Sequence, residues 1–496
     1  MEKEVNIMEE NLSKLSDHKF KKGIIVSPAN DSFGDTLKFN SWTKERLPEY
    51  LWLGLILNYY GRDKGLKKGE SILYHIANIN VDITQPKLSM IFSLSKEKQD
   101  EIYKIICNFI NPSILSPLTI LYRGEQHKVF NHYFYDNSQA VEDRISTLKS
   151  SVKMFYNHHS NDTTDLRYLS ICLPLFKGMV HLSEGVGMTI ESIKNYSKTD
   201  HEDERMRFYR PSIRSFEVID MEENDEEFIS YFWRELGLCT DCSPLYIEHP
   251  EHVYDIQEFF YDTKKVFENI TLLNRDKLIE DPKFNVLMGS TCYILKLTGE
   301  VINNELKDSI LGRLAFRTIL EVFIMMKYLI IKEASQEDIF QGYQLYGIGK
   351  YKHILLRVRE SSIERESHIA VPIVETIVNE PMWEEFVNID VRFFDQQNIK
   401  KKFEEVNEKE LYEIYYEYTT NYAHGFWGAI RESSMLICDN PLHKYHTVAD
   451  FNFYQKLPSV IYDILKILKK HIELLSGVYE FPKWYKVKYE DLVYGK

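Results

Sequence analysis

Apolar residues recur at spacings of three and four along most of this chain, and polar residues fill the positions between them. This period is that of an amphipathic α-helix, in which residues three and four apart share one face. Good helix punctuation supports the assignment, such as Ser41 before the first long pattern and Gly477 after the last. The predicted helices are Trp42–Tyr60, Lys96–Ile110, Ser138–Tyr156, Leu166–Ile193, Val253–Leu272, Lys283–Leu297, Leu306–Lys332, Glu337–Ser361, Val374–Phe386, Glu408–His424 and Pro458–Leu475.

Strand-like alternation of apolar and polar residues is scarce. A small extended element near 205–220 remains open, because Pro211 interrupts the pattern there. We therefore predict an all-α fold of two irregular helical lobes. Residues 1–38 are polar and form a flexible lead-in, and the acidic run at 222–227 precedes a boundary near 245. The predicted domains are an N-terminal helical domain at 39–245 and a C-terminal helical domain at 246–496.

One predicted helix is apolar on nearly every face and still carries charge in its middle. Arg313, Arg317 and Glu321 are four residues apart within Leu306–Lys332, so they share one arc of that helix. A helix of this kind is normally buried, and buried charges are rare unless they are paired or functional. Two interpretations stay open. The arginines bind a phosphate, with Glu321 orienting them or acting as a base, or the charges simply pair within the fold.

The predicted helix Glu408–His424 is rich in tyrosine and ends in a histidine beside Gly425. An imidazole can act as an acid or a base near neutral pH, so His424 is a candidate catalytic residue. The alternative is a solvated acidic face that happens to end in histidine. The sharper hypothesis is that His424 faces Arg317 inside the C-terminal lobe.

A cluster of metal-ligand residue types lies near the predicted boundary. Cys239-x2-Cys242 is followed by His249-x2-His252, and paired cysteines and histidines suit tetrahedral zinc. The gap between the pairs is shorter than in a zinc finger. The alternative is a chance cluster in which the cysteines pack as small apolar groups.

Composition restricts the classes of partner. The formal net charge of −14 opposes broad binding to DNA or to anionic membranes. The longest apolar run, Ile319–Ile331, is interrupted by charge and is shorter than a membrane span. The N-terminus lacks the apolar core of a signal peptide, and six cysteines fit a reducing compartment. We expect a cytoplasmic protein that does not associate with membranes.

The Arg313-x3-Arg317-x3-Glu321 helix, followed by Tyr418 and His424, resembles a family of bacterial helical domains of unknown function over roughly residues 255–475. Such domains are often found near mobile elements and antiviral genes, and the family is distantly similar to the HEPN domains. Many HEPN domains cleave RNA without a metal, through an arginine followed four to six residues later by histidine. No arginine stands at that spacing before His424. A site of the HEPN kind would therefore draw Arg317 and His424 from different helices.

Two functions follow as expectations. The first is a component of antiviral (phage) defence with a phosphodiester- or RNA-acting site, in which Arg317, Glu321 and His424 are catalytic and Arg313 and Arg317 bind phosphate. The alternative is a non-catalytic helical sensor or scaffold that binds a phage or host protein. No cofactor is required by either function, although zinc at the Cys239, Cys242, His249 and His252 set stays open. An oligomer and a protein or RNA partner are compatible with both.

Overall fold

The computed structural model describes residues 14–33, 41–180, 187–217, 224–250, 256–361, 367–444 and 446–489. It is mostly helical, which confirms the predicted fold class. The chain divides into two compact units. The first unit comprises Met1–Pro244 and Cys438–His446, and the second comprises Leu245–Ile437 and Thr447–Lys496. The chain therefore leaves the first unit near 245, returns to it for the segment Cys438–His446, and leaves it again.

Most of the predicted helices are present with shifted ends. The predicted helix Leu166–Ile193 corresponds to two helices, with 181–186 outside the described residues, and Val374–Phe386 corresponds to the shorter helix Val371–Asn379. Helix Glu226–Gly237 and several shorter ones were not predicted. The α-helices are Pro28–Phe33, Leu47–Ala77, Leu88–Ser93, Lys96–Phe109, Lys128–Phe134, Val141–Tyr156, Asn161–Phe176, Gly187–Asn195, Met206–Glu217, Glu226–Gly237, Ile256–Leu273, Lys277–Glu280, Pro282–Asn303, Ile310–Lys332, Ile339–Glu360, Val371–Asn379, Ile399–Glu405, Lys409–Leu411, Glu417–Ala423, Trp427–Ser434, Ile461–Ser476 and Lys483–Lys488. Turns of 3₁₀-helix are Leu15–Asp17, Pro112–Ile120, Glu125–His127, Tyr196–Lys198, Leu306–Asp308, Glu384–Phe386, Phe394–Gln396 and Pro441–His443. Turns of π-helix are Trp42–Arg46 and Tyr412–Tyr416.

Five short strands complete the described fold: β1 Lys19–Lys21, β2 Ile24–Val26, β3 Pro244–Leu245, β4 Met435–Cys438 and β5 Thr447–Ala449. β1 and β2 form an antiparallel hairpin that pairs Phe20 with Ile25. The other sheet has the order β3–β4–β5, and β4 and β5 pair antiparallel with Leu436 opposite Val448.

The segment that the sequence left open as extended is helical over Met206–Glu217. Met206, Tyr209 and Ile213 are all buried, and their spacing of three and four is that of a helix face. Pro211 lies inside this helix and does not break it. The apolar spacing of three and four therefore indicates the conformation of this segment better than the presence of Pro211 does.

The core of the first unit is built around helix Leu47–Ala77, which packs against helix Asn161–Phe176. Ser41 accepts a hydrogen bond from the Lys44 amide and caps the π-helical turn Trp42–Arg46, which leads into this helix; the cap at Ser41 is as predicted. Gly61 has a φ of 73° and bends this helix in the middle, a left-handed conformation that glycine adopts without a steric penalty. The predicted end of the helix at Gly61 is thus a bend, after which the helix continues.

The core of the second unit centres on helix Ile310–Lys332, named here the arginine helix. Ser309 caps its start by accepting from the Gly312 amide at 3.1 Å. The arginine helix packs against Pro282–Asn303, Ile461–Ser476 and Glu417–Ala423. None of the helices that the model describes is both long enough and apolar enough to span a bilayer.

A fully buried histidine lies in this second core. His471 Nε2 is 2.9 Å from the Thr291 hydroxyl, which donates its own proton to the Leu287 carbonyl at 2.6 Å. The hydroxyl must therefore accept from Nε2–H, which places a ring proton on Nε2, while Nδ1 is buried without a hydrogen-bond partner. Burial lowers the pKa of His471 to about 3.

We predict that His471 makes the stability of the second unit depend on pH. The unfolded histidine has a pKa of about 6.5, so below that pH the unfolded state binds more protons than the folded state. The stabilisation is complete above about pH 6.5 and declines by up to about 1.4 kcal/mol per pH unit as the pH falls toward 3. Urea unfolding of wild type and His471→Gln between about pH 7 and pH 5 measures this slope. Equal slopes in the two proteins would contradict the prediction.

Candidate functional site

Arg313 is almost wholly enclosed, with 2% of its surface exposed. One terminal nitrogen donates to the carbonyls of Lys307 and Ser309, at 3.4 and 3.3 Å, and the other donates to the carbonyl of Pro458. The guanidinium also lies 5.8 Å from the centre of the Tyr422 ring. Arg313 thus ties the turn before the arginine helix to the segment that leads into Ile461–Ser476.

Arg317 contacts a second element, the tyrosine helix, which we define as the continuous helical segment 409–423. Its Nη2 donates to the Tyr416 hydroxyl at 2.6 Å, and its Nη1 donates to the Thr420 hydroxyl. The guanidinium lies over the Tyr416 ring, 4.1 Å from its centre. The Arg317 side chain is 14% exposed, so this group is shielded but not sealed from water.

The predicted pair one helical turn apart is present. Glu321 Oε1 is 3.2 Å from Arg317 Nη2, and the glutamate side chain is 39% exposed at the surface end of the cluster. Burial, with the Glu321 charge adding to it, raises the pKa of the Tyr416 phenol well above its ordinary value. Tyr416 therefore stays a neutral partner of Arg317 at physiological pH.

His424 ends the tyrosine helix and is exposed. Its amide bonds to the Thr420 carbonyl, and Gly425 reverses the chain with a φ of 60°. Its ring stacks on Phe426, 5.5 Å between centres. Arg317 meets the tyrosine helix at Thr420, one turn before His424.

The sequence did not single out the tyrosine hydroxyls, which form part of the candidate site. Tyr418 and Tyr422 both donate to the Glu432 carboxylate, each at 2.8 Å. Tyr412 and Tyr416, at the two ends of the π-helical turn, stack with 5.1 Å between their ring centres. The π-turn changes which side chains share one face of the tyrosine helix. The spacing of four between Tyr418 and Tyr422 is visible in the sequence and indicates that the two side chains share a face. It does not reveal the π-turn before them.

The predicted zinc residues do not all come together. The Cys239 sulfur contacts the Glu235 carbonyl within its own helical turn, at 3.2 Å. His249 is exposed in the second unit, and His252 lies outside the described residues. Cys242 instead lies beside Cys438, His443 and His446, with all four ligand atoms within 4.8 Å of one another. Sequence reasoning missed this set, although Cys438-x4-His443-x2-His446 is a visible local signal.

We predict that Arg313 stabilises the second unit more than Arg317 does. Arg313→Ala removes the side-chain donor to the carbonyls of Lys307, Ser309 and Pro458, of which the first keeps the Val460 amide, and should lower the free energy of unfolding by about 2–4 kcal/mol. Arg317→Ala frees hydroxyls near the surface and should cost about 1–2 kcal/mol. The control His424→Ala should change stability by less than about 0.5 kcal/mol. Chemical denaturation of the purified variants measures all three, and a cost at Arg317 equal to or larger than the cost at Arg313 would overturn this ranking.

Comparison with known proteins places part of this site in a family. Residues 286–442 match the model of a family of unknown function, DUF5677, and the match contains Arg313, Arg317, Glu321 and His424. No curated protein and no solved structure matches the chain. The chain therefore contains a DUF5677 domain in its C-terminal half, at residues 286–442.

Proposed function

We propose that this protein is a non-catalytic helical scaffold of bacterial antiviral defence, and that it binds a phage or host protein through the loop Asp450–Gln455. We name this segment the aromatic loop. The observation that carries the proposal is a pair of phenylalanines, Phe451 and Phe453, that stand 86% and 80% exposed on a loop of fixed shape.

The shape of the aromatic loop is set by one carboxylate. Asp450 accepts from the amides of Asn452, Tyr454 and Gln455, at 3.2, 3.1 and 2.9 Å. Burial opposes ionisation of Asp450, but these amide bonds prevail and lower the pKa of its carboxyl. The Gln455 side chain then bonds both the amide and the carbonyl of Ile247, at 3.0 and 2.9 Å. The loop is therefore anchored at its start and at its end.

Phe453 adds a second argument. Its φ of 58° lies in the left-handed region, which costs a residue with a Cβ about 1–2 kcal/mol. Strain of this kind tends to be retained where a side chain has a task, because packing alone would not select it. A rigid loop that presents aromatic rings loses little conformational entropy on binding, and aromatic anchors dominate the energetics of protein interfaces.

The arginine cluster supports a scaffold more than an enzyme. Arg313 donates to backbone carbonyls, and Arg317 donates to Tyr416 and Thr420, so both guanidinium groups are engaged inside the protein. A phosphate would have to displace these contacts. The resemblance of the C-terminal half to domains found near antiviral genes supports the assignment to phage defence.

We predict that the aromatic loop, and not the arginine–histidine set, carries the protective activity. Phe451→Ser combined with Phe453→Ser should weaken partner binding by about 30-fold or more and abolish protection in a phage plaquing assay, at unchanged melting temperature. Leu273→Ser is the matched control, since Leu273 is also an apolar side chain of the second unit and is 81% exposed. His424→Ala and Arg317→Lys should retain protection.

The opposite outcome of these experiments would contradict the proposal. Loss of protection in His424→Ala and Arg317→Lys, with RNA degradation by wild type and an unchanged melting temperature, would support the RNA-acting enzyme and contradict the scaffold. A photoreactive phenylalanine analogue at position 451 should crosslink to a protein during infection, whereas the same analogue at position 273 should not. Absence of any protection by wild type would contradict the defence role.

We predict that the strain at Phe453 is measurable. Phe453→Gly removes the left-handed penalty and should raise the free energy of unfolding by about 0.5–1 kcal/mol relative to Phe453→Ala, which keeps a Cβ. Both variants remove the ring, so the comparison isolates the backbone. Chemical denaturation provides the measurement, and an alanine variant as stable as the glycine variant would show that Phe453 is unstrained.

A further inference from the structure

We propose that the first unit binds one structural zinc ion through Cys242, Cys438, His443 and His446. The inference is independent of the proposed function, because none of these residues belongs to the aromatic loop. Cys242 follows helix Glu226–Gly237, Cys438 ends β4, and His443 ends the 3₁₀ turn Pro441–His443. All four residues belong to the first unit, and their ligand atoms lie within 4.8 Å of one another.

Three sulfur–nitrogen distances in the cluster fit a tetrahedron around zinc. With Zn–S bonds of about 2.3 Å and Zn–N bonds of about 2.0 Å, tetrahedral angles separate a sulfur from a nitrogen by about 3.5 Å. The Cys242 sulfur is 3.3 Å from His443 Nδ1 and 3.3 Å from His446 Nε2. The Cys438 sulfur is 3.7 Å from His443 Nδ1. Two of these sulfur–nitrogen distances are slightly shorter than the distance expected around zinc, and the third is slightly longer.

Hydrogen bonding accounts for both contacts of the Cys242 sulfur only if one histidine donates to the sulfur while the other accepts from it. A cysteine thiol carries one proton and can donate it to one acceptor. The Cys242 sulfur lies equally close to nitrogens of His443 and His446, so one of the two contacts would lack a proton if both nitrogens accept. A cation between the four atoms accounts for both contacts at once, because every ligand then offers it a lone pair.

The surroundings of the cluster orient its ligands. His443 Nε2 lies 2.8 Å from the Thr240 carbonyl, so the ring proton is on Nε2 and the Nδ1 lone pair points to the cluster. The Ser243 amide donates to the Cys438 sulfur at 3.4 Å, which stabilises a thiolate. The Asn440 side chain donates to the Thr240 hydroxyl and to the Asp241 carbonyl, at 2.7 and 3.0 Å. The two contributing segments are thus held together beside the ligands.

The donor set identifies both the metal and its role. Two thiolates and two imidazoles in a tetrahedron favour zinc among the common divalent metals. Four protein ligands complete the coordination and leave no open position for water, so the ion is structural and not catalytic.

Zinc at this position joins distant parts of the chain. Cys242 and His443 are 201 positions apart, and most of the second unit lies between them in sequence. The segment Cys438–His446 also inserts Leu442, fully buried, into the core of the first unit. An ion that closes so long a loop removes many conformations from the unfolded chain, and its binding free energy adds to folding stability.

The test begins with the metal content of the purified full chain by mass spectrometry. We expect about one zinc per chain for wild type and a loss of at least about tenfold in Cys438→Ser and in His446→Ala. Cys239→Ser and His249→Ala are matched controls that remove the same residue types nearby, and both should keep the zinc. Replacement of zinc by Co²⁺ in the wild-type chain should give the visible spectrum of a tetrahedral site with thiolate ligands.

A second measurement does not depend on whether the variants fold. A mercurial reagent added to the intact wild-type chain should release zinc to a coloured chelator in proportion to the thiols that it modifies. Removal of the metal should lower the melting temperature of wild type and leave that of Cys438→Ser unchanged. The proposal is overturned if wild type holds no zinc after reconstitution with Zn²⁺, if Cys239→Ser loses as much metal as Cys438→Ser, or if intact mass shows a Cys242–Cys438 disulfide instead.

Discussion

A guanidinium removed from water must find acceptors inside the protein, and this constraint shapes the second unit. Arg313 and Arg317 lie one turn apart on the arginine helix, but their guanidinium groups donate to two different kinds of acceptor. Arg313 donates to carbonyls of the turn before its own helix and to the carbonyl of Pro458, which precedes helix Ile461–Ser476. Arg317 donates to the hydroxyls of the tyrosine helix. The position of the tyrosine helix on the arginine helix depends on these contacts.

The same constraint recurs elsewhere in the second unit. Glu408 is buried and accepts from Lys327 at 2.7 Å and from Lys470 at 2.9 and 3.0 Å. Lys402 is buried and donates to the carbonyls of Phe394 and Gln397, each at 2.6 Å. Each charge is matched by acceptors or counter-charges that come from another helix or from a loop. Such pairs favour one arrangement of the helices, although they add little to stability compared with apolar packing.

In the first unit, apolar packing and an asparagine side chain hold a segment that comes from a distant part of the sequence. The segment Cys438–His446 belongs to it, although it follows nearly two hundred residues of the second unit. Leu442 is fully buried and anchors the segment by apolar packing, while Asn440 bonds it to residues 240 and 241. In the sequence, Cys438 precedes these two residues, and His443 and His446 follow them. Both contacts hold the segment that carries three of the four ligands we propose for zinc.

Local patterns in the sequence predicted most of the long helices, the cap at Ser41 and the burial of Arg313, because each follows from local period and local hydrogen bonding. They also placed Arg317 and Glu321 as a pair, since four residues are one helical turn. Two contacts depend on the packing of distant segments: Cys242 lies beside Cys438 and not beside His249, and Arg313 donates to the Pro458 carbonyl. These contacts join residues far apart in the chain, and a carbonyl is present at every position. No local pattern can therefore specify which one a distant side chain will reach.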